Sequence, residues 1–208
     1  MSIHRTSRKT PGSAIISERD AFKKQIRAIL TSRARYKVDA SGLVCAAVLV
    51  PILFREGQWH VLVTLRTEHV EHHKGQISFP GGACDPEDVD LEATALRETL
   101  EEIGVSPGEV EVLGVLDDMA TITDFSVTPF VGVIPSPYSY QLNEDEVEAV
   151  VEVPLSFLRD PSHLRAERRE IQGQVYDLLF WDYRSDQHDI TIWGATARIL
   201  KSLLDLIP

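Results

Sequence analysis

The stretch LVCAAVLVPILF, residues 43–54, contains no charged side chain and is rich in valine. A strand with one face in water alternates apolar and polar residues, whereas a run this continuous needs cover on both faces. It predicts a buried strand at the centre of a layered domain. Arg55, Glu56, Gly57 and Gln58 then make a turn, and WHVLVTLR (59–66) alternates, so the two segments form a hairpin.

Around that hairpin the periodicity places further elements. Ser17 with Asp20 has the spacing of a capping box, and Phe22, Ile26, Ile29 and Leu30 form a helical stripe, giving a helix over roughly 18–34. The chain from Thr67 to Lys74 is polar and His-rich, a loop, and QISFPGG (76–82) is a short strand broken by Pro80, Gly81 and Gly82. Residues 91–103 are strongly helical; 109–118, 128–135 and 146–154 are strands, and 173–183 pairs with 165–172 through a turn at Gly173. A helix over 194–207, opened by Trp193 and Gly194, presents Ile199, Leu200, Leu203 and Leu204 on one face. Strands outnumber helices, which predicts one mixed sheet covered by helices, α+β or α/β. Residues 1–40, a tail and a helix, belong to the same unit as a domain over 41–208.

Composition narrows the chemistry. With 208 residues, 43% of them apolar, the chain can bury a substantial core. A net charge of −11 argues against a nucleic-acid binder that lives on phosphate neutralisation. An acidic protein can still handle an anionic substrate if metal cations stand between the two. No apolar stretch is long enough to span a membrane. The basic N-terminus (MSIHRTSRKTPG) lacks the apolar region of a secretory signal. Cys45 and Cys84 are the only cysteines, too few for a zinc site or a disulfide framework; Cys45 is read as core, in a soluble protein of a reducing compartment, cytoplasmic by default with organelle import open.

The informative segment is GGACDPEDVDLEATALRETLEEIGV, residues 81–105. On a helical wheel Ala93, Leu96, Leu100 and Ile103 fall within about 80° and read as the buried face. Glu98, Glu101 and Glu102 cluster on the opposite side. Carboxylates at those spacings repel one another, and divalent cations are the hard ions that relieve them. A solvated acidic face is the alternative reading of three glutamates alone. The surrounding pattern, with Gly81 and Gly82 ahead of the helix, Arg97 before Glu98, and Gly104 and Val105 at its end, is not a generic helix.

This segment resembles the signature of Nudix hydrolases, G-x5-E-x7-R-E-U-x-E-E-x-G-U with U aliphatic. Arg97, Glu98, Glu101, Glu102, Gly104 and Val105 match it. Thr99 takes an aliphatic position, Gly82 lies 15 residues before Arg97 rather than 14, and Val89 stands where the upstream glutamate belongs, with Asp88 beside it. The stretched spacing is similar to the coenzyme A diphosphatase branch, where FPGG and a DPxD element lead into a TALRE helix. Here these are Phe79 to Gly82, Asp85 to Asp88, and Thr94 to Glu98. The branch's upstream motif is matched by Leu62 to Thr67 and Gly75 to Phe79, except that Glu71 replaces its second arginine, with His73 and Lys74 nearby. Segments 127–135, 143–155 and 192–200 resemble later parts of the same branch.

The resemblance implies an α/β/α sandwich with a mixed sheet between helices. It also implies hydrolysis of a nucleoside diphosphate derivative with Mg²⁺ or Mn²⁺: coenzyme A or its derivatives first, NADH or ADP-ribose as the alternative. Glu98 and Glu102 are the expected metal ligands, Glu101 a third, and a carbonyl of Gly81 or Gly82 completes the set. The general base is Glu101 or a later acid, Glu144, Asp145 or Glu146; a solvated acidic turn is the competing reading of the last three. Arg97 and Gly104 are structural, and Arg66 and Lys74, with Gly81 and Gly82, are candidates to meet substrate. His69, His72 and His73 lack the companions of a zinc site. A small molecule is the expected partner, without nucleic acid or membrane, and a homodimer is left open. A non-catalytic nucleotide-sensing module is the reading from another class; the complete glutamate set and the lack of a basic helix favour catalysis.

Overall fold

The computed structural model describes residues 11–67, 76–171 and 174–207. The apolar run becomes β1 (Val44–Arg55), and it is covered on both faces. Ala46, Val50 and Ile52 enter one apolar cluster, while Ala47, Leu49 and Leu53 enter another. Strict alternation between two cores explains why no polar residue interrupts the segment.

β1 turns into β2 (Gln58–Arg66) with Arg55 opposite Gln58. The two turn residues between them, Glu56 and Gly57, both have positive φ, as a two-residue hairpin requires. On its other edge β1 runs parallel to β7 (Phe125–Val133), from Val44 opposite Phe125 to Ile52 opposite Val133. The remaining strands of this sheet are antiparallel to their neighbours. β3 (Ile77–Ser78) and β8 (Val147–Pro154) pair with β2, β4 (Gly81–Ala83) with β1, and β5 (Glu111–Val115) and β6 (Met119–Ala120) with β7.

Helices lie on both sides. α2 (Leu91–Ile103) sends Ala95 and Ile103 into the cluster with Leu49, Leu53, Leu62 and Phe130. On the opposite face α1 (Pro11–Ser32) contributes Ile26 and Leu30, and α4 (Gly194–Leu206) contributes Leu200 and Leu203. The mixed sheet between helices is as expected.

Four local expectations are corrected. The C-terminal strands β9 (Leu164–Ile171), β10 (Gln174–Arg184) and β11 (Asp189–Ile192) do not extend the central sheet but form a separate antiparallel one. It is joined to the first through the short α3 (Leu155–Arg159), and buried Trp181 donates from its indole N–H to the Leu158 carbonyl at 3.2 Å. The predicted turn at Gly173 lies outside the described residues. α1 begins at Pro11, so Ser17 is interior and caps nothing; proline is tolerated in a first turn because its missing N–H would have no partner there. Among the described residues the strand expected over 109–118 is shorter, with β5 ending at Val115. The fourth correction concerns the cysteines. Cys45 is exposed rather than core and is joined to Cys84 by a disulfide. The cause is register: β4 pairs with β1 (Ala46 opposite Ala83), the Cys84 N–H donates to the Cys45 carbonyl, and the two Cα atoms stand 5.4 Å apart.

Candidate active site

The site is built where α2 lies across β1 and β4. Its helix starts at Asp90, whose carboxylate accepts from the Ala93 N–H at 2.8 Å, and ends at Gly104, whose left-handed φ of 74° lets its N–H reach the Leu100 carbonyl. A Cβ at Gly104 would also stand 2.8 Å from Gln141 Cβ, so both conformation and space require glycine.

The buried face of α2 is shifted from the apolar stripe: Ile103 is buried and Leu96 packs against the core as the stripe predicts, but other members do not follow it. Leu100 is 44% exposed, while Thr94, Ala95, Thr99, Glu102 and Ile103 are buried. Thr99, at the position where an aliphatic residue is usual, satisfies its hydroxyl on the Ala95 carbonyl at 2.7 Å. Glu102 is 1% exposed, a carboxylate taken almost wholly out of water. Gly82 makes room for Glu98: a Cβ there would come within 2.6 Å of both carboxylate oxygens.

Arg97 ties the loop before α2 to the glutamates. Its Nε and Nη2 donate to the two oxygens of Asp88 at 2.9 and 3.0 Å, and Nη2 also reaches the Ala83 carbonyl. Its Nη1 donates to Glu98 at 2.8 Å and Glu101 at 3.1 Å. Asp88 is held in turn by the Thr94 hydroxyl and the Asp85 N–H. Asp88 therefore braces the loop before α2 through Arg97, and Val89, at the usual glutamate position, is 89% exposed. The hydrogen bonds from Arg97 and from Asp85 hold the Asp88 carboxyl well below the usual carboxylate range.

The other three acids differ. Burial raises the Glu98 pKa against the pull of Arg97. Burial pushes Glu102 up to about 8, with the charges of Glu146 and Glu98 adding and Arg66 opposing. Glu101 is exposed and meets only Arg97 among the described residues.

Arg66 stands inside this cluster. Its Nη1 lies 3.4 Å from Glu102 Oε1 and its Nη2 3.8 Å from Glu146 Oε2. Pairing of β2 with β8 explains the meeting, because Arg66 faces Val147 across a bulge and Glu146 directly precedes that strand. Strand register of this kind is not written in local sequence, so the partnership between Arg66 and the acids was invisible there. Glu144 is exposed and Asp145 also faces solvent. Lys74, together with Glu71 and the loop histidines His69, His72 and His73, lies outside the described residues. The backbone of Gly81, close by, works with Arg66 against the rise at Glu102.

The donor chemistry fits a hard divalent cation. Glu102 Oε2 is buried and, among the described residues, has no hydrogen-bond partner. A buried carboxylate with an unmatched oxygen is costly unless a positive charge answers it. As the side chains stand, no three His, Cys, Asp or Glu among the described residues are gathered to hold an ion, because Arg97 engages Glu98 and Glu101. A cation would compete with that guanidinium for them.

Comparison with known proteins agrees with this geometry. Residues 44–178 match the family described as NUDIX domain. The chain is 43% identical over 161 residues to an "Uncharacterized Nudix hydrolase NudL" of Enterobacter sp. (strain 638), covering 76% of this chain and 80% of that one. It is 40% identical over 166 residues to the protein of the same name from Escherichia coli O1:K1 / APEC, with the same shares covered. Among solved structures, a NUDIX hydrolase from Alicyclobacillus acidocaldarius superposes with a TM-score of 0.51 at 22% identity, over 78% of this chain and 91% of that chain; it supports the fold. The chain belongs to the NUDIX domain family and is a Nudix hydrolase.

Proposed function

We propose that this hydrolase cleaves the pyrophosphate bond of coenzyme A or its acyl derivatives, giving 3′,5′-ADP and (acyl-)4′-phosphopantetheine. The observation that carries the reading is the segment from Leu62 to Asp88, where FPGG at 79–82 and DPED at 85–88 precede the glutamate helix at the stretched spacing of the coenzyme A branch. Its bracing pair, Arg97 and Asp88, fits that spacing, since the acid stands one residue before the usual position.

Mg²⁺ or Mn²⁺, when bound, neutralises pyrophosphate charge and lowers the pKa of a coordinated water. Glu98 and Glu102 would hold the ion, with Glu101 as a third ligand once released from Arg97. Glu146 is the favoured general base of the candidates: its charge acts on both Glu98 and Glu102, and Arg66 flanks its carboxylate. Glu144 shows no such contact among the described residues, and Glu101 is taken as a ligand. Arg66, between Glu102 and Glu146, would offer its guanidinium to a substrate phosphate.

The test is product analysis. The protein is incubated separately with coenzyme A, NADH and ADP-ribose, with Mg²⁺ or Mn²⁺ and with chelator, and the nucleotides are separated. We expect 3′,5′-ADP from coenzyme A at the highest kcat/KM, abolished by chelator. AMP from NADH or ADP-ribose while coenzyme A survives would overturn the substrate and point to Glu71, which replaces an expected arginine.

A further inference from the structure

The turn that delivers Glu146 is organised by one residue. The Asn143 N–H donates to the Glu102 carbonyl in the last turn of α2 at 3.0 Å. Its own carbonyl accepts from the Glu146 and Val147 N–H groups at 2.9 and 2.8 Å. Its side-chain Oδ1 accepts from the Asp145 N–H at 3.2 Å, and its Nδ2 donates to Glu146 Oε1 at 3.3 Å. Arg66 lies 3.8 Å from the other Glu146 oxygen. The Glu146 carboxylate is thus held from both sides, and the hold is anchored to the helix carrying Glu98 and Glu102. Thr67 fixes the same turn to the end of β2, through its N–H to the Glu146 carbonyl and its hydroxyl to the Asp145 carbonyl.

We propose that Asn143 is a positioning residue for catalysis: its side-chain amide aims the Glu146 carboxylate into the cluster of Glu98, Glu102 and Arg66. The inference rests on Glu146 as the base. A turn-forming role alone uses only the Asn143 Oδ1 and backbone, which serine or aspartate also supply. Aiming Glu146 needs the Nδ2 donor, which neither supplies. A general base out of line loses much of its effect, since proton transfer requires hydrogen-bond reach.

The experiment compares Asn143→Ser, Asn143→Asp, Glu146→Gln and the Asn143→Ser/Glu146→Gln pair, with thermal melting as the fold check. Serine removes the donor without adding charge, and aspartate keeps the turn geometry if serine melts early. Both single Asn143 variants are expected to lower kcat about tenfold or more with KM nearly unchanged, the size of a displaced general base. In the Glu146→Gln background the serine change should cost nothing further, because groups acting as one unit are not additive. Wild-type kcat in folded Asn143→Ser, with Glu146→Gln slow, overturns the inference alone. An equal loss in both backgrounds overturns it too, as that is a structural effect. Full activity in Glu146→Gln removes the base assignment and this inference with it.

Discussion

α2 and α4 are both 13 residues long, both amphipathic by pattern, and each packs on one side of the molecule. In α4 the predicted face is the buried one: Ile199, Leu200 and Leu203 are all at most 5% exposed, and Leu204, partly buried, packs against the same cluster. In α2 the predicted stripe is displaced, with Leu100 44% exposed and Glu102 at 1%. Burial of apolar area decides the orientation of α4. The orientation of α2 is decided by its ends and its polar contacts: Asp90 and Gly104 at the termini, and Arg97 clamped to Asp88 and Ala83 between them. That rotation puts carboxylates against the sheet at a cost in free energy which a bound cation would offset. The buried face of α4 can be read from its hydrophobic period, whereas that of α2 can be read only in part, at Ile103 but not at Leu100.

The contrast yields opposite expectations for substitutions on the two helices. Glu102→Gln should lower kcat by roughly a thousandfold, the scale of removing a key charge from a preorganised site, while the protein stays folded. Steady-state kinetics on the purified variant checks it, and near-normal turnover would mean that Glu102 is not a ligand. Leu203→Ala in α4 should do the reverse, destabilising by about 2–5 kcal/mol and leaving kcat of the folded protein unchanged. Denaturant titration measures this, and a loss below about 1 kcal/mol would show that α4 is weakly packed.

The Arg97–Asp88 clamp adds a pH dependence to the segment around α2. Because Asp88 has its pKa lowered on folding, the unfolded chain takes up a proton first as pH falls. The stability Asp88 contributes is present above its ordinary pKa of about 3.9 and is lost as pH drops below it toward the lower native value. The gap in unfolding free energy between wild type and Asp88→Asn should therefore narrow from pH 6 to pH 3, roughly the span on either side of that ordinary value. A constant gap would place the role of Asp88 elsewhere. The smallest effect is expected at Leu100→Gln, within about 0.5 kcal/mol despite its place in the apolar stripe, since the side chain is exposed. A loss of several times that would restore the face read from the sequence.

Much of the architecture was legible because it follows from local pattern. The continuous run of β1, the Glu56–Gly57 turn, the bounds of α2 and the face of α4 are each set by residues within a few positions of one another. The site's acids and Arg97 were legible through the spacing of one segment. What escaped depends on contacts distant in sequence. The Cys45–Cys84 disulfide follows from the pairing of β4 with β1, and Arg66 between Glu102 and Glu146 follows from the β2–β8 register. The separate C-terminal sheet is likewise a matter of which strands find which edges. Asn143 was legible only as the first residue of the 143–155 segment, since an asparagine before an acidic run looks like an ordinary turn, and its contact with Glu146 was not.

The central claim is that α2 buries Glu102 for a cation, and melting of wild type and Glu102→Gln with and without Mg²⁺ tests it most directly. Without metal, the variant should melt at or above the wild-type temperature, because glutamine replaces a buried carboxyl whose pKa burial has already raised to about 8 and whose Oε2 has no hydrogen-bond partner among the described residues. With Mg²⁺, wild type should gain stability and the variant should gain far less. A variant that melts well below wild type without metal, and rises with Mg²⁺ as much as wild type does, would contradict the account.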